Sequence, residues 1–234
     1  MADLSKKEWE KYQDPGQAHV YKNIATVMQK GIEPAQVSDF YSKWAGDENG
    51  YEQELPDQIF NSPRTTAASA AESFPPDKRA DVKVIDVAAG TGLCGEELRK
   101  HGFQHIDALD PSEGMLSKAR AKNIYERIIC DYITDKRLDI ESDTYDLLTV
   151  SAGFGEGHIP CSALHEMVRI VKPGGVICLV TREEHLRAVE EYRNRLEPLM
   201  QTLEEQGKWK RVCRQIFPGF FLDKEGILWK YKVC

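Results

Sequence analysis

The chain has 234 residues, of which 41% are hydrophobic and 29% charged, and its formal net charge is −7 at pH 7. This is the composition of an ordinary globular domain, and no stretch approaches the roughly 18 consecutive apolar residues that a membrane-spanning helix needs. The acidic balance disfavours a nucleic-acid partner, because binding a phosphate backbone requires many cationic contacts. The charged N-terminus lacks the apolar segment of a secretory signal, so we expect a cytoplasmic protein without membrane contact.

The first 80 residues show helical patterns only, at 19–29, 34–45 and 63–73. Proline and glycine residues separate these segments, and no strand pattern interrupts them. We predict that residues 1–80 form a helical cap over the strand ends of a second region, residues 81–234. The two regions are expected to make a single compact domain.

From residue 82 onward, short β-rich runs alternate with helical patterns. The predicted strands are 82–88, 105–110, 127–130, 145–150 and 175–181, and the predicted helices between them are 93–100, 112–122 and 162–171. Such alternation is typical of βαβ units around a parallel sheet. The expected fold is therefore α/β, with a Rossmann-like, doubly wound and mostly parallel sheet.

The last fifty residues predict one long helix and a hairpin. Residues 182–208 have a charged helix pattern that Pro198 is expected to kink or divide and Gly207 to end. The β-like runs 209–217 and 227–233 are joined by a short connection rich in turn residues, which predicts an antiparallel hairpin. This pair would bring the sheet to seven strands.

Three glycines follow the first predicted strand with G-x-G-x-x-G spacing, at Gly90, Gly92 and Gly95. This spacing is typical of a dinucleotide-binding loop. Asp110, about 20 residues further on, fits the ribose hydroxyls of NAD or of another adenosine cofactor. Asp86 separates these alternatives, because its carboxylate would repel a pyrophosphate at the helix N-terminus but would tolerate a cationic cofactor without phosphate.

The segment from Asp86 to Gly92 resembles the first motif of the class I S-adenosylmethionine-dependent methyltransferases, acidic-x-Gly-x-Gly-x-Gly, with Ala88 in place of the first glycine. Alanine is accommodated there if its φ is negative. Similarity to the family extends over residues 80–182. It implies S-adenosylmethionine as the cofactor, with S-adenosylhomocysteine as the product.

The same resemblance implies roles for residues near the other strand ends. Asp110 corresponds to the acid that binds the ribose, Met115 lies near the adenine, and Asp131 and Tyr132 contact the adenine edge. The cofactor-binding residues that it implies in full are Tyr41, Trp44, Asp86, Ala88, Ala89, Gly90, Thr91, Gly92, Leu93, Asp110, Pro111, Met115, Asp131, Tyr132 and Ser151.

An aromatic segment before the core narrows the resemblance further. Residues 40–55 resemble the Tyr-x-x-Trp-Ala…Tyr segment of members that act on small molecules, and the whole chain looks most like the methyltransferase-like proteins named for the Williams-Beuren chromosomal region. Tyr41, Trp44 and Tyr51 would then form a lid over the cofactor. The alternative is a helix that packs its aromatic rings onto the core.

Candidate catalytic groups lie after the fourth predicted strand. His158 is the best-placed general base, with Glu156 as an alternative base or anchor for a substrate amine, although both residue types are also common in surface loops. Pro160-Cys161 matches the nucleophile of cytosine methyltransferases, but the pair opens a helix in a chain without a target-recognition domain. No metal site is predicted, because Gly102 separates His101 from His105 and ends their helix.

These patterns predict a methyltransferase that uses S-adenosylmethionine and acts by in-line transfer on a small-molecule acceptor, with a protein acceptor as a further possibility. Two alternatives stay open: an interaction protein that binds the cofactor without catalysis, and an NAD-dependent oxidoreductase. The basic cluster Lys208, Lys210, Arg211 and Arg214 is expected to protect a sheet edge rather than to bind nucleic acid. No particular oligomeric state is predicted.

Overall fold

The structure, a computed structural model, describes residues 8–47 and 50–234. Its centre is a seven-stranded sheet in the order β3-β2-β1-β4-β5-β7-β6. The first five strands pair in parallel, whereas β7 runs antiparallel to both β5 and β6, as the sequence predicts. The strands are β1 Lys83–Val87, β2 His105–Asp110, β3 Ile128–Cys130, β4 Tyr145–Ser151, β5 Val171–Arg182, β6 Trp209–Phe221 and β7 Lys224–Val233.

Helices surround this sheet, and those of the βαβ core match their predicted ranges closely. Within the part of the chain that the structure describes, no helix is long and apolar enough to cross a membrane. Short 3-10 turns lie at Glu8–Lys11 and Pro76–Asp81. The helices are α1 Pro15–Val27, α2 Pro34–Gly46, α3 Tyr51–Glu54, α4 Ser62–Ala71, α5 Leu93–Lys100, α6 Glu113–Ala121, α7 Ala163–Ile170, α8 His185–Ala188 and α9 Leu196–Glu205.

Helix α4 lies directly against the sheet. Its Ala67 and Ala70 are fully buried, and their small side chains let the helix approach β4 and β5 closely. Lys230 of β7 fixes its C-terminal end by donating hydrogen bonds to the Ser69 carbonyl (2.9 Å) and to Glu72 (3.0 Å). Part of the segment predicted as a cap therefore belongs to the layer beside the sheet, and the boundary near residue 80 stays a prediction.

The charged segment 182–208 forms two helices, but Pro198 does not separate them. Pro198 lies in the first turn of α9, where its missing N–H has no helical acceptor to bond. The chain turns earlier, between α8 and α9, where Asn194 has a φ of 56° and the fully buried Tyr192 donates a hydrogen bond to the Ile159 carbonyl (2.7 Å). Gly207, with φ 68°, follows the end of α9 as predicted.

The predicted C-terminal hairpin is confirmed, with longer strands than the sequence pattern indicates. Strand β6 continues through a bulge between Phe217 and Phe221, and only residues 222–223 separate it from β7. Strand β6 is an edge strand of the sheet. The predicted basic cluster lies along it, with Arg214 paired to Glu197 at 2.7 Å.

Replacing Lys230 with methionine tests how α4 is held on the sheet. Methionine fills a similar volume but leaves the Ser69 carbonyl without its donor, so the free energy of unfolding should fall by about 1–3 kcal/mol in urea titrations. Lys232→Met, on an exposed side chain of the same strand, is the matched control and should change stability little. Equal losses in the two variants would contradict this account.

Candidate functional site

A cavity lies at the carboxyl ends of the parallel strands β1, β2 and β4. About 990 Å³ of atom-free space, part of it open to solvent, lies between these strand ends and helix α2. Ligands of open α/β sheets bind at this edge, because the chain reverses there and leaves a crevice. The cavity is therefore the candidate site.

The glycine loop between β1 and α5 forms the floor of the cavity. Its φ angles are left-handed at Ala88 (55°), Gly90 (56°) and Gly92 (95°), and this lets the chain reverse within a few residues. The turn closes with a hydrogen bond from Gly92 N to the Ala89 carbonyl at 2.9 Å. Helix α5 begins immediately afterwards at Leu93.

Ala88 departs from the expected backbone conformation. The motif predicts a negative φ for an alanine at this position, and this prediction is wrong, because the φ of Ala88 is 55°. A left-handed alanine costs about 1 kcal/mol relative to glycine in the same conformation. Gly153 makes room for the alanine methyl, since a Cβ at position 153 would lie 2.8 Å from the Ala88 Cβ.

Asp86 lies beneath the loop and does not line the cavity. Its carboxylate is fully buried and accepts hydrogen bonds from the Tyr125 hydroxyl and the Thr149 hydroxyl, both at 2.9 Å. Burial raises its pKa to about 6, although both hydrogen bonds act in the opposite direction. Gly95 allows this arrangement, because a Cβ there would lie 2.3 Å from the Tyr125 hydroxyl oxygen.

Asp110, at the end of β2, reaches the cavity wall. One carboxylate oxygen accepts the Gly90 N–H at 2.9 Å and the other accepts the Ser112 N–H at 2.8 Å. Burial raises the pKa of Asp110 to about 6, and these two hydrogen bonds partly offset that effect. The carboxylate thus joins the loops after β1 and β2 and keeps lone pairs for a ligand.

Helix α2 covers the cavity with one face. Pro34 begins the helix, and Val37, Ser38 and Tyr41 follow it at helical spacing along the cavity wall. Ser38 donates a hydrogen bond to the Pro111 carbonyl at 3.1 Å. Sequence reasoning missed Val37 and Ser38, although the i, i+3, i+4, i+7 spacing from Pro34 to Tyr41 could have indicated them.

The contact between α2 and α6 is close. Ser42 and Ser112 share a hydrogen bond at 2.7 Å, and Gly114 N donates to the Ser42 hydroxyl at 3.3 Å. A Cβ at Gly114 would lie 2.6 Å from the Ser42 backbone. This packing fixes the cap segment against the loop that follows β2.

The aromatic residues of the predicted lid form a cluster, but only part of it reaches the cavity. Tyr41 stacks on Trp44 at a ring-centroid distance of 6.1 Å, and Tyr51 meets Trp44 edge-on at 5.0 Å. Tyr41 and Tyr51 line the cavity. Trp44 is buried behind them and donates its indole N–H to Glu54 at 3.0 Å.

The predicted cofactor residues therefore divide into two groups. Those that line the cavity are Tyr41, Ala88, Gly90, Asp110, Pro111, Met115, Asp131, Tyr132 and Ser151. Those that lie outside the lining, where they support the loop or the aromatic cluster, are Trp44, Asp86, Ala89, Thr91, Gly92 and Leu93. Their roles toward a cofactor stay predictions.

His158, the predicted base, lines the same cavity. Its Nδ1 lies 2.7 Å from the Glu156 carbonyl oxygen and so carries the proton it donates there. Its Nε2 then accepts from the Tyr41 hydroxyl at 3.3 Å. Burial lowers the pKa of His158 to about 4, so the ring is neutral at pH 7.

The other candidate groups near this loop have structural partners. Glu156 accepts the Gly31 N–H at 3.0 Å and thereby binds the loop to the segment between α1 and α2. The Cys161 thiol donates to the Glu191 carbonyl at 3.1 Å, and burial raises its pKa to about 12. A thiol in that state is a poor nucleophile at neutral pH.

Comparison with known proteins agrees with this geometry. Residues 84–175 match the family model described as a methyltransferase domain. Methyltransferase-like protein 27 of Homo sapiens is 32% identical over 176 residues, which are 75% of this chain and 69% of the human protein. Demethylmenaquinone methyltransferase of Mycobacterium marinum is 38% identical over 99 residues, which are 41% of this chain and 40% of that protein.

Solved structures with low sequence identity share the fold. A methyltransferase from Leishmania major that depends on S-adenosylmethionine superposes with a TM-score of 0.63 at 14% identity, covering 85% of this chain and 82% of the other. A methyltransferase from Aquifex aeolicus that depends on the same cofactor superposes with a TM-score of 0.55 at 16% identity. The superposition covers 87% of this chain and 100% of the other. A chain in the complex between the Haloferax volcanii Trm112 methyltransferase activator and a methyltransferase superposes with a TM-score of 0.59 at 18% identity. The superposition covers 82% of this chain and 97% of the other.

Gly95→Ala tests whether the third glycine of the loop serves packing. The new Cβ would collide with the Tyr125 ring, so the ring must shift away from Asp86, and the free energy of unfolding should fall by about 1–3 kcal/mol. Chemical denaturation measures the loss. Gly46→Ala, at an exposed helix end with open space around it, is the matched control, and a loss of equal size there would refute the packing role.

Proposed function

The chain belongs to the class I S-adenosylmethionine-dependent methyltransferases, with the methyltransferase-like proteins of the Williams-Beuren region, and from that premise we propose that its acceptor is a small molecule. The protein is thus an enzyme of methyl transfer.

The charge of the cavity wall is the observation that carries the cofactor assignment. Asp110 and Asp131 line the cavity, Asp86 is buried below it, and no lysine or arginine appears among the described residues of its wall. A pyrophosphate would face these carboxylates without a cationic side chain, whereas a cofactor with an amine and a sulfonium is attracted by them. The wall therefore fits S-adenosylmethionine better than NAD.

Particular residues of the cavity suit the parts of this cofactor. The Asp110 carboxylate would accept hydrogen bonds from the ribose hydroxyls, as acids at this position of a βαβ unit do. Met115 and Ile133 offer apolar surface for the adenine, beside Asp131. The left-handed turn at Gly90 exposes backbone toward the cavity, and a Cβ at this position would lie 3.4 Å from the Met115 methyl carbon.

S-adenosylmethionine, when bound, supplies a methyl carbon that an acceptor lone pair attacks while the carbon–sulfur bond breaks and sulfur keeps the electron pair. The residues of this chain align the acceptor and exclude water. Tyr41 and His158 are hydrogen-bonded in the cavity wall, and His158 is unprotonated at pH 7. We propose that an acceptor proton leaves through the Tyr41 hydroxyl to His158, with His158 as a weak base.

The covered cavity supports a small-molecule acceptor, and the free cysteines support a cytoplasmic location. Helix α2 lies across the strand ends and leaves a site suited to a small acceptor rather than to a folded macromolecule. All six cysteines are free, which fits the reducing cytoplasm. A protein acceptor is the alternative outcome that a labelled-methyl screen of metabolite and protein extracts distinguishes.

Calorimetry with S-adenosylhomocysteine tests the cofactor assignment. The wild-type protein should bind it with a micromolar Kd, and Gly90→Arg should abolish binding by filling the turn next to Met115. Gly46→Arg adds the same side chain at an exposed helix end and should bind normally. Absence of heat with either S-adenosylmethionine or S-adenosylhomocysteine would overturn the proposal, and thermal stabilisation by NAD(H) alone would favour an oxidoreductase.

The pKa of Asp110 predicts how cofactor binding depends on pH. Hydroxyl donors stabilise the ionised carboxylate, so S-adenosylhomocysteine binding should lower the Asp110 pKa from about 6 and should weaken as pH falls below 6, by at most about tenfold per pH unit. Calorimetry between pH 5 and 8 measures this. Asp110→Asn should bind more weakly at pH 7.5 with a flatter profile, whereas Glu205→Gln on the exposed side of α9 should follow the wild type. Identical profiles for wild type and Asp110→Asn would contradict this role.

A further inference from the structure

One tyrosine that does not line the cavity packs against the underside of the glycine loop. Tyr125 belongs to the connection between α6 and β3, which is fixed to β2 by a hydrogen bond from Glu126 N to the Ile106 carbonyl at 2.8 Å. A Cβ at Gly92 would lie 3.1 Å from the Tyr125 ring, and one at Gly95 would lie 2.3 Å from its hydroxyl oxygen. The ring therefore occupies the space that two glycines of the loop leave open.

The hydroxyl of Tyr125 is directed at the buried Asp86. It donates to one carboxylate oxygen at 2.9 Å, and the Thr149 hydroxyl of β4 donates to the other at 2.9 Å. Burial raises the pKa of Asp86 to about 6, and the Tyr125 hydroxyl is the foremost of the hydrogen bonds that act in the opposite direction. Tyr125 thus stabilises the ionised form of Asp86.

The titratable neighbours of Asp86 leave this role to the tyrosine. Burial raises the pKa of Tyr125 well above its ordinary value, so its hydroxyl keeps the proton that it donates. Burial and the charge of Asp86 raise the pKa of the Cys94 thiol on α5, which stays neutral. Asp110 of β2 is the other acidic group, and like charge between the two carboxylates opposes their ionisation.

The charge of Asp86 acts inside the cavity although its side chain lies below the loop. Asp110 lines the cavity, and the charge of Asp86 contributes to raising the pKa of Asp110. Electrostatic interactions in a protein interior are screened less than those in water. An ionised Asp86 therefore favours a positive charge in the cavity over a neutral group in the same place.

S-adenosylmethionine and S-adenosylhomocysteine differ in exactly such a charge. The methyl donor carries a sulfonium and the demethylated product a neutral thioether, whereas their adenine, ribose, amine and carboxylate groups are the same. Contacts with the shared groups cancel in the ratio of the two dissociation constants. This ratio therefore isolates the effect of a charge near the sulfur atom.

We propose that Tyr125 is a positioning residue whose hydroxyl holds Asp86 as a carboxylate beneath the glycine loop, and that this charge makes the cavity prefer S-adenosylmethionine to S-adenosylhomocysteine. The inference rests on the proposed binding of this cofactor. Tyr125 acts through Asp86, because it is not among the residues that line the cavity. The same charge favours exchange of product for a new methyl donor after each transfer, since the positive charge leaves with the methyl group.

Tyr125→Phe removes the hydroxyl and keeps the ring against Gly92 and Gly95. In the wild type, the preference for S-adenosylmethionine should be largest at pH 8 and should fall as the pH drops through about 6, where Asp86 takes up a proton. In the variant, Asp86 lacks a donor, so the same fall should occur at a pH higher by about one unit. Calorimetry with both ligands between pH 5 and 8 measures the ratio.

Tyr145→Phe is the matched control. The Tyr145 hydroxyl also donates to a buried carboxylate, that of Asp107 at 2.7 Å, and neither residue lines the cavity. This variant should keep the wild-type ratio at every pH, even if it unfolds more easily. Asp110 titrates in the same range as Asp86, so the displacement between proteins is the measure. Wild-type behaviour of Tyr125→Phe, or an equal displacement in Tyr145→Phe, would overturn the inference.

Asp86→Asn tests the same inference without Tyr125→Phe. Asparagine keeps the shape and an acceptor oxygen but carries no charge, so the preference at pH 8 should fall by roughly three- to tenfold. Adding Tyr125→Phe to this variant should change the ratio no further, because both substitutions act on one charge. A further loss of preference in the double variant would show that Tyr125 acts by another route and would refute its role through Asp86.

The wild-type protein separates failure of this inference from failure of the proposed function. Binding of both ligands with equal affinity at pH 8 would leave the proposed function intact and overturn the role of Tyr125 and Asp86. Binding of neither ligand at any pH would overturn the proposed function, and this inference with it. A preference for S-adenosylmethionine that Tyr125→Phe displaces toward higher pH supports both.

Discussion

Asp110 accepts the backbone N–H of Gly90 through one carboxylate oxygen and that of Ser112 through the other. This pair of hydrogen bonds ties the turn after β1 to the turn after β2, and both turns form the floor of the cavity. Ser112 in turn holds α2 through Ser42, so the position of the cap also depends on Asp110. A carboxylate is suited to this task because it accepts several donors in fixed directions.

Two buried carboxylates in one site cost the apo protein free energy. Asp86 and Asp110 each have a pKa raised to about 6 by burial, and the charge of Asp86 also raises the pKa of Asp110. These two groups therefore contribute less to folding stability above pH 6 than near pH 4, since ionising them in the folded state is harder than in the unfolded chain. A cationic ligand with hydroxyl donors would relieve that cost, which supports the proposed binding of S-adenosylmethionine at this site.

Local patterns predicted the core of the fold well. Helix α5 begins at Leu93 and ends at Lys100 as expected, because the glycine turn before it and Gly102 after it are local signals. The break between α8 and α9 has no such signal. It depends on burying Tyr192 against the loop at 155–159, a contact between segments more than thirty residues apart. The left-handed conformation of Ala88 also has no local signal. It depends on a distant residue, Gly153, because a side chain at position 153 would collide with the Ala88 methyl group.

The two cavities at this edge of the sheet differ in how they can be inferred from a sequence. The proposed cofactor cavity is built mainly from strand ends and the turns that follow them, so most of its residues on the sheet side have a recognisable motif around them, whereas Val37 and Ser38 of α2 do not. A second cavity, lined by Tyr41 and Tyr51 on the side of the first, brings Met28, Phe60, Ala152, Arg182 and Phe221 together from five separate segments. None of these residues stands in a pattern that indicates binding, because apolar residues and single charges at such positions are common in any core. Membership of a methyltransferase family therefore specifies the cofactor, and the acceptor has to be inferred from the cavity that the folded chain assembles.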